Sequence, residues 1–554
     1  MKKKRSVIYP KLKNALKEWG GRLPVAIVFP EKESLAFSTL GWQRIYKELS
    51  EKDDFVVESF YGQGRKEDLF SVENNTPLSS FPVICFSLNF ELDILPFLKF
   101  LRELNLPLKS EARGEDFPLI IGGGPLCFLN PYPFLGTLDF AFVGEGEEKF
   151  VQLLKGLKDT YLTQGSKQDL LNVALKSPYV LTLDKKAKRA ICVQDRFSPS
   201  YSLFISSRSA FPDTLLLEIN RGCLYGCRFC AAGFIYRPFR EIRVEEAKKI
   251  VKDIKPRKVG LVGTALTDWP YLKEFLFWLQ DKKIKFSLSS LRVNSLDFEF
   301  LYFLRKTGTR SITLAVEGIS KKIRKSINKK FSEKKFLEVV EHISKLQFNN
   351  LKLYFILGFP QETEEDFLEL EDFFFKIEEA RARGKGKRKK GLDLISVSVS
   401  FLVPKPWTPL QWIELLKEGE LEKRAKRFKQ IIGKFPRTKV SLENPLLSRI
   451  QGILARGDEK LFFFLEEALK TNSWVRAYKN CREKLEIYTR EKGLQTSFPW
   501  EHIDMGVNKA YLYKEYLDFK RGKQSPKCLK GCEPCIRCGL KKFYKEEELD
   551  ENHL

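Results

Sequence analysis

The chain has little histidine and little methionine: three and two residues respectively among 554. His342, His502 and His553 stand far apart in sequence and away from the cysteine groups. Sites built from several imidazoles are therefore not expected. No stretch of about 18 or more uninterrupted apolar residues occurs, which argues against a spanning helix. The basic start Met1-Lys2-Lys3-Lys4-Arg5 is not followed by an apolar h-region or a small-residue cleavage site. These absences predict a cytosolic protein with no membrane partner. Acidic residues are outnumbered, 72 against 97 Lys and Arg, giving a net charge of +25. Two readings of that excess stay open: a polyanionic partner such as RNA, or the lysine-rich surface of a heat-adapted organism, which low methionine also fits.

What is present is enough apolar material, 43% of residues with 13% aromatic, for several buried cores. The length suggests two to four domains. After a basic leader (1–20), residues 22–30 read as a buried strand and 40–50 as a helix. Strands follow at 81–88, 118–121 and 140–143, with a helix at 94–104. The later two strands run into Gly122-Gly123-Gly124-Pro125 and Gly144-Glu145-Gly146-Glu147-Glu148. Strands that alternate with helices and end in glycine-rich loops predict a doubly wound, Rossmann-like parallel sheet over 21–165. Ligands of such sheets bind beyond the carboxyl ends of the strands. Residues 166–213 read as a linker with a hairpin. Further strands at 215–219, 259–262, 285–288, 311–316, 351–357 and 394–401 make six βα units, a partial (β/α)6 barrel over 214–435. The rest, 436–554, reads as mostly helical with a cysteine-rich tail. The run Arg381 to Gly391 (RARGKGKRKKG) reads as a solvated loop or, alternatively, a phosphate-contacting arm.

Seven of the eleven cysteines fall in two groups, which in a cytosolic protein points to metal or cluster ligation rather than disulfides. Cys223, Cys227 and Cys230 have C-x3-C-x2-C spacing directly after a strand. Three thiolates suit a tetrahedral zinc poorly, because it takes a fourth protein ligand. They can bind three irons of a 4Fe–4S cubane and leave one iron open. Such an iron can chelate S-adenosylmethionine (SAM), and one electron into the sulfonium then releases a 5′-deoxyadenosyl radical. Cys528, Cys532, Cys535 and Cys538 have C-x3-C-x2-C-x2-C spacing, which fits either a second 4Fe–4S cluster or one zinc. Cys85, Cys127, Cys192 and Cys481 read as small buried hydrophobes. His502, between Trp500 and Asp504, is either a proton donor to a substrate or a packing residue.

The first cysteine loop, with Phe229 before its third cysteine, resembles the signature of the radical SAM superfamily. That resemblance implies a set of SAM-binding positions. Gly263-Thr264-Ala265 would meet the methionine amine, although the commoner Gly-Gly-Glu form is absent. Ser290 and Arg292 would meet the methionine carboxylate or ribose, and Glu317 the ribose hydroxyls. Ile356-Leu357-Gly358-Phe359-Pro360, with Gly358 at its centre, would pack on adenine. A low-potential donor such as flavodoxin or ferredoxin would supply the electron.

More narrowly, the chain resembles an uncharacterised bacterial radical SAM family with an N-terminal cobalamin-binding-type domain. The likeness runs through both glycine-rich loops, Arg221 to Pro238, Phe401 to Pro409, Ala455-Arg456-Gly457-Asp458, Trp500 to Val507 and the cysteine tail. It implies cobalamin-assisted methyl transfer. The Asp-x-His-x-x-Gly ligand motif is missing, so a corrin would be held without a protein imidazole. The alternatives are an RNA-modifying enzyme of methylthiotransferase type and a non-catalytic iron–sulfur electron carrier or RNA-binding scaffold. The open-iron loop argues against a carrier, which would close its fourth site.

Overall fold

The computed structural model describes residues 17–193, 197–529 and 535–541. Most of the expected leader lies outside them, and so does Cys532.

The first sheet is built from β1 (Leu23–Phe29), β2 (Phe55–Tyr61), β3 (Val83–Ser87), β4 (Leu119–Gly123), β5 (Phe140–Phe142) and β6 (Val180–Leu181). Its order is β2-β1-β3-β4-β5-β6, with every pair parallel except β5 with β6. All seven residues of β1, Leu-Pro-Val-Ala-Ile-Val-Phe, are buried. That unbroken apolar run is what a central parallel strand covered on both faces requires. The chain reverses its direction of winding between β1 and β3, the place where open sheets of this order bind ligands. The stretch expected to be a linker contributes β6 to this sheet and β7 (Ala187–Lys188), which pairs with β16 (Ile503–Asp504). Within the stretch the chain turns back on itself, Thr182 N–H donating to the Lys185 carbonyl at 3.2 Å and Lys188 N–H to the Pro178 carbonyl at 2.9 Å. Phe204, from the same stretch, stacks on Phe37 and Trp42 at 5.2 and 5.3 Å and closes one face of the sheet.

The turn that follows β3 carries a charge-buried carboxyl. Asp93 accepts the Phe90 N–H at 3.0 Å and is almost fully buried. Burial pushes it up to about 7, and the nearby Glu31 and Glu91 carboxylates push the same way. The protonated form is thus favoured in the fold. The stability it contributes is present below the unfolded carboxyl value and is lost as pH rises through about 7. Asp93→Asn, which keeps the acceptor and removes the charge, should therefore gain stability relative to the parent at pH 8 and not at pH 4. Denaturant unfolding at the two pH values measures this, and an equal shift at both would refute it.

The second series comprises β8 (Leu215–Arg221), β9 (Arg240–Glu241), β10 (Lys258–Gly263), β11 (Lys285–Leu288), β12 (Ser311–Glu317), β13 (Asn350–Leu357), β14 (Leu394–Phe401) and β15 (Thr438–Leu442). They form two parallel sheets, β11-β10-β8 with β9 antiparallel at the edge, and β12-β13-β14-β15. A single bridge between Leu291 and Leu314 joins them, so the barrel is open. The six expected strands are present as β8 and β10 to β14, and β15 adds a further parallel strand beside β14. In β14, Ile395, Val397, Val399 and Phe401 are buried, while Ser396, Ser398 and Ser400 on the other face are only half-buried. One face packs on helices and the other stays accessible, unlike a barrel filled by its own side chains. The basic run is partly a continuation of the helix Glu364–Lys385. Its Arg381 is held by Glu378 and by the Leu392 and Asp393 carbonyls, so it is not a solvated loop residue. Among the described residues no helix is long and apolar enough to cross a membrane.

Candidate functional site

The last residues of β8 decide where the first cysteine loop sits. Gly222 has φ +83°, and a Cβ there would lie 2.4 Å from the carbonyl oxygens of both Tyr236 and Pro238. Only glycine accommodates that left-handed backbone and close approach. Before it, Arg221 donates to Glu218 through Nε and Nη2, each at 2.9 Å. Its Nη1 pairs with Glu145 at 3.1 Å and with Glu147 at 2.6 Å. Arg240 completes the group with a two-pronged pair to Glu145 at 2.6 and 2.7 Å. The acidic loop after β5 is thereby fastened to the residue that introduces the cysteines. Burial alone would raise Glu145 and Glu218; the guanidiniums of Arg240 and Arg221 beside Glu145, and of Arg221 beside Glu218, outweigh it and hold both below the ordinary carboxylate range.

Beyond Gly222 the loop is fixed by buried cations and amides. Arg237 donates to the Cys223 carbonyl at 3.4 Å and to that of Tyr225 at 3.2 Å. Asn328 donates to the Gly226 carbonyl at 3.0 Å. Arg228 is fully buried and donates to Glu515, the Ser326 and Lys523 carbonyls and the Ser525 hydroxyl at 2.6–3.0 Å. Cys223 is buried, and Cys227 and Cys230 are half-buried. None of the three is in a disulfide. Burial raises the Cys227 thiol, against the opposing charges of Lys329 and Arg292, and pushes Cys230 up to about 12. Among the described residues no three His, Cys, Asp or Glu side chains converge on a single-ion position.

The structure brings some of the expected SAM-binding residues to this loop and leaves others apart. Arg292 reaches Cys223 Sγ at 3.8 Å, lies 3.3 Å from the Tyr225 ring centre, and pairs with Asp268 at 3.7 Å. Gly263-Thr264-Ala265 is clamped to β8 by Asn220, whose side-chain amide donates to the Ala265 carbonyl at 2.9 Å. Glu317 sits at the end of β12 and pairs with Lys329 at 3.4 Å. Gly358 has φ +97°, and its N–H is held by Glu362 at 2.9 Å. Ser290 is exposed, with no described bond to the loop. Tyr225, Asp268, Asn220 and Lys329 were not singled out by sequence reasoning, because no motif spacing marks them. Cys85 and Cys127 are buried as expected, whereas Cys192 and Cys481 are only half-buried. His502 packs edge-on against Tyr132 at 5.6 Å.

A cavity of about 420 Å³ lies between the first sheet and this site. One wall is the carboxyl edge of β3, β4 and β5 (Ser87, Gly123, Gly124, and Gly144 to Glu147). The other is Asn220, Arg221, Gly263 and Thr264.

Residues 41–181 match the family of radical SAM proteins, N-terminal, and residues 217–374 match the Radical SAM superfamily. The chain belongs to the radical SAM superfamily. Enzymes of this superfamily use a 4Fe–4S cluster with SAM, and the chain is such an enzyme. It is 27% identical over 465 residues to an uncharacterised protein of Methanocaldococcus jannaschii, covering 83% of this chain and 94% of the relative. It is 25% identical over 317 residues to the threonylcarbamoyladenosine tRNA methylthiotransferase of Aquifex aeolicus, covering 54% of this chain and 74% of that one. Among solved structures it is similar to TsrM, a radical SAM methyltransferase from Kitasatospora setae with cobalamin and a 4Fe–4S cluster bound. The TM-score is 0.48 at 12% identity, covering 72% of this chain and 76% of that one.

Proposed function

We propose that this radical SAM enzyme holds its cluster on Cys223, Cys227 and Cys230, and holds a cobalamin between the first sheet and that cluster for methyl transfer. The observation that carries the second part is the cavity. It opens at the carboxyl edge of a sheet of order 2-1-3-4-5 and reaches the Gly263-Thr264 loop beside β8. Its volume falls in the range of about 300–1,000 Å³ typical of cofactor clefts. Gly123, where nothing lies nearer than 4.0 Å to the position of a Cβ, leaves room for a broad, flat ligand, and Arg44, Ser87 and Asn89 can meet an amide rim. No histidine lines it, so a corrin would sit there without a protein imidazole. A bound cobalamin would supply a methyl carrier, and the cluster with SAM a radical initiator.

The chain's own residues do the positioning. Asn220 fixes the loop that would meet the methionine amine, and Arg292 stands over Cys223 where it can face the methionine carboxylate. Glu317 is proposed as a partner of the ribose and Gly358 as part of the adenine wall. In this reading the first sheet is the cofactor domain and β8 to β15 the catalytic core. The protein works in the reducing cytosol with a flavodoxin- or ferredoxin-type donor. The net charge of +25 supports an RNA substrate, and the Aquifex aeolicus relative is by name a tRNA methylthiotransferase, whereas other methylthiotransferase relatives are named for the ribosomal protein uS12.

The test is anaerobic reconstitution with hydroxocobalamin followed by gel filtration. Corrin absorbance should remain with the parent and be lost in Gly123→Trp, where the nearest atom to a new Cβ is 4.0 Å away and the bulk projects into the cavity. A parent that retains no corrin defeats the cobalamin reading. Formation of 5′-deoxyadenosine from SAM, measured on the same sample, tests the cluster assignment separately.

A further inference from the structure

The face of the open barrel that is turned away from its helices is polar and cationic, and strand register sets its rows. Thr313 of β12, Lys352 of β13, Ser396 of β14 and Lys439 of β15 are neighbours on one level. The next level toward the carboxyl ends is Ala315, Tyr354, Ser398 and Ser441. Alternate residues of a strand share a face, so both levels lie opposite Leu353, Val397 and the other side chains buried against the helices. Lys352, Lys439 and Ser441 are exposed, and Tyr354 is 40% exposed. In a closed barrel the inward positions are filled by bulky branched side chains. In this one hydroxyls and lysines take them, and the face stays open.

The first half of the barrel continues the pattern. Lys258 of β10 stands beside Lys285 of β11, on the same face as Gly260 and Ser287. Among the described residues none of Lys258, Lys285, Lys352 and Lys439 has an ion-pair partner. Strands β8 and β10 to β15 carry two carboxylates, Glu218 and Glu317, and Arg221 and Lys329 already neutralise them. Lys352 and Lys439 are two strands apart, about 10 Å between backbones, which is close enough to repel at physiological salt. A concave face of one sign attracts the opposite charge. Val262 shares this face of β10, is 37% exposed, and lines the cavity of about 420 Å³. The cationic face thus leads up to the cavity.

We propose that this face is the groove for single-stranded RNA, with phosphates on Lys352 and Lys439 and a base stacked on Tyr354, the strand running toward the cavity at Val262. The proposal rests on the radical SAM reading of the barrel and names the substrate class of that site. An acidic peptide would meet the lysines but has no use for an open aromatic ring one level above them. A nucleic-acid strand uses both, since lysines hold phosphates as point charges and exposed rings stack bases of any sequence. The strand is single because its bases must be free to leave a helix and stack. Ser396, Ser398 and Ser441 carry hydroxyls that both donate and accept, which suits the ribose 2′-hydroxyl.

Fluorescence anisotropy of a labelled single-stranded RNA of about 12 nucleotides, titrated with the full reconstituted chain, tests this. Lys352→Gln/Lys439→Gln should raise Kd about ten-fold and flatten the slope of log affinity against log salt by about 1.4, the share of two phosphates on a single strand. Tyr354→Ala should raise Kd about ten-fold with the slope unchanged, and Tyr354→Phe should bind like the parent. Lys252→Gln/Lys423→Gln removes the same charge from the exposed sides of the outer helices Val244–Ile254 and Glu418–Ile432. That control should change Kd less than about two-fold, because its charges lie beyond a screening length from the groove. A control that weakens binding as much as the groove variant would mean that overall charge holds the RNA, and would overturn the proposal. An unchanged Kd in Tyr354→Ala, or no binding by the parent at about 100 µM protein, would overturn it as well. Displacement of the RNA by oligoglutamate of equal length would mark a groove for acidic peptides instead. Failure of the radical SAM reading looks different: RNA is bound as above, but the parent forms no 5′-deoxyadenosine from SAM.

Discussion

Cys227→Ala should reduce 5′-deoxyadenosine formation from SAM to background. The reasoning starts from the loop's rigidity. Gly222, Arg228, Arg237 and Asn328 hold the loop backbone from four sides, so no neighbouring thiol can swing in to replace a lost ligand. Removing one of three cluster ligands therefore removes the site. The comparison that makes the prediction informative is Arg292→Ala. Arg292 contacts Cys223 Sγ at 3.8 Å and stacks on Tyr225, but it carries no thiolate. Loss of an outer partner of this kind costs roughly 10–100-fold, so this variant should stay measurably active while Cys227→Ala does not. Iron content separates the two again: it should fall in Cys227→Ala and be kept in Arg292→Ala. Equal activity in the two variants would mean that the cysteine loop is not where SAM is cleaved.

Much of this arrangement was legible in the sequence, and the reasons it was are physical. Runs such as Leu-Pro-Val-Ala-Ile-Val-Phe in β1 and the alternation of Leu-Ile-Ser-Val-Ser-Val-Ser-Phe in β14 announce a doubly covered strand and a one-face-buried strand. The cysteine spacing and the Gly222 before it are local features, and the local backbone needs them. β15, Thr-Lys-Val-Ser-Leu, was missed because it is short, half-exposed and at the edge of its sheet. β6 was missed for a related reason: two residues give no periodicity to read. The long-range partners were invisible altogether. Glu145 and Glu147 read as part of a tight turn, yet their carboxylates meet Arg221 more than seventy residues later. Arg228 reads as an ordinary basic residue between two cysteines, yet it is buried against Glu515. Neither pairing leaves a trace in spacing, since fold topology alone brings those segments together. Arg292 was reached through the family resemblance, and its stacking on Tyr225 became visible only in three dimensions.

The Arg221 network gives the largest stability effect expected in the molecule. Arg221→Met keeps the length and apolar stem of the side chain and removes the charge. It leaves Glu145, Glu147 and Glu218 facing one another with Arg240, among the described residues, as the only cation in direct contact with Glu145. Breaking a buried pair from one side costs about 3–5 kcal/mol, here with three carboxylates left to share one guanidinium. The sign of the pH dependence follows from the parent. Burial opposes ionisation of Glu145 and Glu218, but the arginines prevail and hold both low, so their stabilisation is present above the unfolded carboxyl value and is lost as pH falls through the folded ones. In the variant the carboxylates lose that support and take up protons more readily, which relieves their repulsion at low pH. The destabilisation should therefore be largest near pH 8 and shrink towards pH 5. Calorimetry of parent and variant at both pH values measures it. Because the network ties the loop after β5 to the end of β8, the same variant should also loosen amide exchange at Gly144 to Glu148 and at Gly222 to Cys230 together. Exchange that rises in only one of the two segments would show that the carboxylates brace their own loop and leave the cysteines to the contacts of Arg228 and Arg237.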